Sequence, residues 1–171
     1  MAVLIEAISV VIKLKSIEQH IGLDDFDKFV NNKTLCIDGF LARLGFMAPE
    51  DVEAYIKRLE EAGLRHRLDK RAFDLVVIDQ QFGCTTRCEW LKVGKVDPGF
   101  GVITCCRHVE DQGKQVFTPE GWEYPGSLSE TFVFSPSDAT KKRLRFLRHE
   151  NGIDVYFSDT SGKEVFSGKS N

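Results

Sequence analysis

The stretch FLARLGFMAPEDVEAYIKRLEEAGLRHRLDKRAFDLVVID, residues 40 to 79, decides the fold class. It reads as strand, helix, strand. Pro49 suits the first helical position, and Glu50, Asp51 and Glu53 meet the positive end of the helix dipole. Val52, Ile56 and Leu59 recur at helical spacing as one apolar stripe, and Gly63 supplies the stop. The run FDLVVID is apolar and β-branched, which predicts a buried strand.

Working outward, TLCIDGFLARLGFM places Asp38-Gly39 between two apolar runs. That pattern predicts a hairpin whose tight primed turn needs positive φ at both central residues. Further back, residues 3 to 12 read as one buried strand. Ser16 then opens a helix with Gln19 as its capping-box partner. Gly22 interrupts that helix, and a second turn resumes near Asp24 with Phe26, Phe29 and Val30 on one side, closed by Asn31-Asn32. The resulting β-α-β-β-α-β order is that of a ferredoxin-like α+β core with two main helices on one sheet face.

Downstream, residues 86–93 and 100–108 predict a further hairpin turned at GKVDPG, with Cys88 opposite Cys105 and Trp90 opposite Ile103. The runs RLRFLRHE, IDVYFSD and KEVFSG predict an added C-terminal antiparallel β-meander, with Asn151-Gly152 as its first turn. The expectation is a single domain over residues 1–171: a core of about 1–108, an aromatic loop at 111–130, and C-terminal strands at 131–168.

Composition narrows the function. The 171 residues are 42% hydrophobic and 29% charged, as in a globular chain. A formal net charge of −3 argues against a dedicated nucleic-acid binder. The apolar start is interrupted by Glu6, lacks a basic region before it and leads to Lys13 and Lys15, unlike a secretion signal. An odd count of five cysteines without such a signal reads as reduced thiols, so the expected location is cytoplasmic. No run reaches the roughly 18 to 20 apolar residues that span a bilayer. DPGFG lacks the lysine and following helix of a phosphate loop, and GLDDFDKF lacks its glycines.

Four cysteines fall between residues 79 and 108, yet their spacing is not that of a zinc knuckle. Three residues separate Cys84 from Cys88, and adjacent Cys105 and Cys106 point to opposite sheet faces. Packing as small buried hydrophobes is the expected role. If one thiol is reactive, Cys84 beside Arg87 is the candidate, and Cys84 or Cys106 paired with His108 is the nucleophilic alternative. The four histidines lie apart in sequence, none at a ligand spacing. Asp79, at the end of its strand, either caps a turn or serves a substrate as base or amine partner.

The loop FTPEGWEYPGSLSE, residues 117 to 130, has two prolines, two glycines and three large aromatics. Loops of that length usually bind something or strap a core. Phe117, Trp122 and Tyr124 are therefore the leading recognition candidates, joined by Arg143 and Arg145 of the basic segment at 141–150. Acidic residues such as Glu18, Asp24, Asp25, Glu50 and Glu60 stud both helices, and acidic faces steer basic partners as well as conferring solubility.

A strand, an acidic-start helix ending LEEAGL (59–64) and three following strands, over residues 40 to 108, is similar to half of a vicinal-oxygen-chelate (glyoxalase-like) protein. The resemblance implies a sheet-lined pocket for a small molecule, with His and Glu ligands on strands for a divalent metal. Here Glu6 and Glu89 are the strand glutamates and no histidine accompanies them; on this reading the pocket uses Glu6, Asp79 or Glu89 with a divalent metal. The residues themselves favour a non-catalytic binding protein, immunity- or antitoxin-like in size and acidity, with a protein partner and no cofactor or metal. No expectation about oligomeric state follows from the sequence.

Overall fold

The structure, a computed structural model, describes residues 2–30, 33–125, 127, 144–150, 153–158 and 163–168. The chain starts with β1 (Ala2–Ile5) and β2 (Ile8–Lys13), followed by α1 (Leu14–His20) and α2 (Leu23–Phe26), the latter continued by a 3₁₀ turn over Asp27–Phe29. Next come β3 (Cys36–Ile37), β4 (Leu41–Phe46), α3 (Pro49–Glu61) and a small hairpin of β5 (Arg67–Leu68) and β6 (Arg71–Ala72). Then β7 (Leu75–Asp79), β8 (Gly83–Cys84), β9 (Leu91–Val96), β10 (Ile103–His108) and β11 (Val116–Phe117) complete the central part. Toward the C-terminus lie β12 (Leu144–Glu150), β13 (Ile153–Ser158) and β14 (Lys163–Gly168). The protein is mixed α+β, with more sheet than helix.

A five-stranded antiparallel sheet, β3-β4-β2-β7-β8, forms the middle layer. Since β4 and β7 each run antiparallel to β2, they are parallel to one another on either side of it, and α3 makes the crossover. Strand alternation sends Val10, Ile12, Leu44, Phe46, Leu75 and Val77 to one face, where they meet Ile17, Phe26, Val52, Tyr55, Ile56 and Leu59 from the helices. Each aliphatic side chain sealed there contributes about 1.5–3 kcal/mol. The opposite face sends Val11, Leu41, Val76 and Ile78 against Val3, Ile5, Leu91 and Cys106 of a second sheet, ordered β11-β1-β10-β9. The middle sheet is thus covered by helices on one side and by a sheet on the other. β13 pairs antiparallel with both β12 and β14 in a separate three-stranded sheet.

The expected single strand over residues 3–12 is two strands in two sheets. The change occurs at Ala7, which takes a left-handed φ of 50°. Its N–H donates to Gln80 Oε1 at 2.9 Å, and its carbonyl accepts from Gln80 N at 2.9 Å. One glutamine therefore stands in for a strand neighbour at the crossing.

Other local expectations changed too. α1 starts two residues before Ser16, with no side-chain cap. Ser16 Oγ instead donates to Asp74 Oδ1 at 2.6 Å, tying the helix to the approach of β7. The Asp38-Gly39 hairpin forms, but Gly39 is not among the glycines with positive φ. The turn is held by the Asp38 carboxylate, which accepts from the N–H groups of Phe40 and Leu41, both at 2.7 Å. The β9–β10 turn falls at residues 97–102, later than GKVDPG, so Cys105 faces Gly94 and Ile103 faces Val96. Asp97 Oδ1 holds that turn by accepting from Gly99 N at 2.8 Å and Gly101 N at 3.2 Å. Residues 116–117, expected as loop, form a short parallel partner of β1.

Candidate functional site

The second sheet carries an aromatic hollow built by two segments distant in sequence. One is the β9–β10 turn, which raises Phe100, half exposed at 50%. The other leaves β11 and returns over the turn with Trp122 and Tyr124. Ring centroids lie 6.0 Å apart for Phe100–Trp122, 5.5 Å for Phe100–Tyr124 and 6.4 Å for Trp122–Tyr124. Such tilted and edge-on pairs attract beyond the area they bury. Glycine is required at position 101, where φ is +142° and an added Cβ would fall into the Tyr124 ring. The hollow measures about 700 Å³; Pro98, Val116 and Pro125 extend its apolar wall, while Lys114 and Glu123 bring one charge of each sign.

Trp122 is tied inward. Its Nε1 donates at 3.1 Å to Oε2 of Glu6, a nearly buried carboxylate in the link between β1 and β2. Beneath lies Arg43, 1% exposed, which occupies the space left beside Gly45 on the same face of β4. Arg43 Nε donates to Ser9 Oγ at 3.0 Å, Nη1 to the Thr34 carbonyl at 3.1 Å and Nη2 to the Glu6 carbonyl at 3.4 Å. Burial pushes the guanidinium below its ordinary range, and the Glu6 charge opposes that shift. The ring that floors the hollow is thereby fixed to a buried polar network rather than left to swing on its loop.

Of the residues expected from sequence, Trp122 and Tyr124 meet in this hollow. Phe117 does not join them: it lies opposite Val3 and packs against the core between the sheets. Arg145 is in β12 opposite Phe157, and Arg143 lies outside the described residues. Phe100 was missed, because the turn that carries it precedes Trp122 by more than twenty positions and reads as hairpin punctuation.

The reactive-group candidates are dispersed. Glu89 is exposed and paired with Arg71 at 3.0 Å and Arg87 at 3.2 Å, apart from Glu6 in its bond with Trp122. His108 stacks on Phe40, with centroids 5.3 Å apart and planes within 13°, and on Trp90 at 6.3 Å. Asp79 Oδ1 caps the following turn by accepting from Gln81 N at 2.8 Å and Phe82 N at 3.1 Å.

All five cysteines are free thiols. Cys36, Cys84, Cys88 and Cys106 belong to the core between the sheets, and Cys105 faces away from it. Burial pushes the thiols of Cys36 and Cys88 up to about 11 and that of Cys106 well above its ordinary value. Cys84 is raised as well by burial, contrary to the expected activation by Arg87, whose guanidinium is engaged by Glu89. Among the described residues no three His, Cys, Asp or Glu side chains are placed to hold one metal ion. No helix among them is long and apolar enough to cross a membrane.

Compared with protein families, curated proteins and solved structures, the chain matches no family model, no curated protein and no solved structure.

Proposed function

We propose that this chain is a non-catalytic binding protein that grips a protein partner in the hollow of Phe100, Trp122 and Tyr124. One observation carries the reading: three rings from two separate segments are held in place around an open space of about 700 Å³ before any partner arrives. Rings fixed in advance lose little conformational freedom on binding, which favours tight anchoring. Tyr and Trp are also the residues most often found to dominate binding energy. Exposed acidic side chains on the helices, such as Glu18, Asp24 and Glu50, would steer a basic partner into contact.

Within the same proposal belong a cytoplasmic location, an immunity- or antitoxin-like role and a ferredoxin-like core. The order β3-β4-β2-β7 with α1 and α3 as crossovers supports that core, and the consecutive pairing of β12, β13 and β14 supports a C-terminal meander.

The test is capture from a native lysate of the source cells by the immobilised chain, followed by affinity measurement with the captured polypeptide. Phe100→Ala with Tyr124→Ala should weaken that polypeptide by more than about 2 kcal/mol, roughly thirtyfold. Trp122→Phe keeps a ring in the hollow and removes the donor to Glu6, so it should cost folding stability more than affinity. If the double variant lowers the melting temperature and leaves affinity intact, the rings are core cover and the reading fails.

A further inference from the structure

A second hollow lies across the middle sheet from the first, between α3 and the end of β7. Its volume is about 310 Å³, at the small end of ligand sites. Asp79 lines it and is 3% exposed. The two carboxylate oxygens have opposite surroundings: Oδ1 is satisfied by two backbone N–H groups, whereas Oδ2 is buried with no hydrogen-bond partner. His66, on the connection after α3, lines the same hollow, and its Nε2 is likewise buried without a partner. Buried polar atoms are nearly always paired, so two orphans on one small cavity single it out as a place with hydrogen-bonding capacity to spare. The turn already has its cap in Oδ1, so the demand of local structure does not account for Oδ2.

The chemistry of the lining indicates what would fit. A carboxylate oxygen accepts hydrogen bonds, and so does Nε2 of a neutral imidazole in the tautomer whose proton sits on Nδ1. Burial pushes His66 below its ordinary value, keeping that ring neutral, and the neighbouring Arg67 charge acts in the same direction. Glu53 of α3 adds a second carboxylate to the lining, against the single cation Arg67. Beneath these groups Ile8, Val52, Ile56 and Val77 form an apolar floor, and Phe82, 77% exposed, stands at the rim.

We propose that this hollow binds a small molecule carrying a primary ammonium on an apolar body, the ammonium donating to Asp79 Oδ2 and His66 Nε2 while the body lies on Val52, Ile56 and Val77. An ammonium brings three donors and a positive charge, which match two acceptors under a net negative lining. An anion would face Asp79 and Glu53 together. The site is independent of the aromatic hollow, and neither reading depends on the other.

The probe is 2-phenylethylamine, titrated into the 171-residue chain while methyl and amide NMR shifts are followed, with 2-phenylethanol as the uncharged control. Asp79→Asn is the matched variant, because the amide oxygen still caps Gln81 and Phe82 while an N–H₂ replaces Oδ2. Saturable shifts centred on Ile8, Val52, Ile56 and Val77 are expected. The alcohol should bind at least about tenfold more weakly, as should the amine to Asp79→Asn, the loss expected for one charged hydrogen bond. The amine–alcohol comparison on the unaltered chain stands even if the variant folds poorly. No saturable shift, shifts centred on Trp122 and Tyr124, or equal affinity for amine and alcohol would overturn the proposal.

Discussion

Asp79 sets a stability test as well as a binding one. Burial raises its carboxyl above the ordinary value, and the two turn N–H groups only partly oppose that. The unfolded chain releases this proton near pH 3.9, before the folded chain does. Between the two values the folded chain holds more protons, so this group's contribution to stability falls as pH rises and stays low above that window. Asp79→Asn should therefore raise the melting temperature at pH 7, and its advantage should shrink as the pH is lowered through about 4. Thermal melts of both proteins at the two pH values decide it; a variant that melts lower at pH 7 contradicts the burial argument. At this scale the sequence conveyed Asp79 as a turn cap or an amine partner, and the structure assigns the cap to Oδ1 alone. That the other oxygen ends buried in a hollow shared with α3 and His66 is a matter of tertiary packing that no local pattern encodes. The packing of the thiols was more legible, because spacing already separated Cys105 from Cys106, and Cys36, Cys84, Cys88 and Cys106 pack in the core between the sheets.

Among the elements, α3 was the most readable, because Pro49, the acidic first turn and the spacing of Val52, Ile56 and Leu59 all agree. Its buried Tyr55 was overlooked as an amphipathic residue, and it packs on Phe46 with centroids 5.2 Å apart. The sheet change at Ala7 was not readable, since it depends on Gln80, which is 73 positions away. The β9–β10 turn shows a similar limit: Asp97 and the glycines announce a turn, but not the ring that will pack on it. Two glycine replacements separate these roles. Gly101→Ala places a methyl group in the Tyr124 ring and strains a positive φ, so it should cost about 1–3 kcal/mol and alter the near-ultraviolet circular dichroism of the aromatic cluster. Gly94→Ala, in the neighbouring strand with open space around the new Cβ, should stay within about 0.5 kcal/mol. Equal effects in urea unfolding would mean that Tyr124 does not rest on the turn.

For the whole molecule, three layers divide the work. The helices and middle sheet enclose one apolar core, the two sheets enclose another, and the β1–β2 link passes between layers. Glu6 in that link joins the aromatic hollow to buried Arg43, so the hollow and the interior share one polar network. The acidic helix faces lie across the middle sheet from the aromatic rings. On the proposed reading they would act on a partner through long-range attraction rather than by lining the same contact, and that attraction would weaken with salt. The alternation of strands and helices conveyed the middle layer. The second sheet was hidden because its strands come from both ends of the central region. Hydroxyl-radical footprinting of the complex with the captured polypeptide tests the central claim most directly. Phe100, Trp122 and Tyr124 should lose reactivity together while Phe82 keeps its own; protection at Phe82 and α3 with the three rings unchanged would contradict the account.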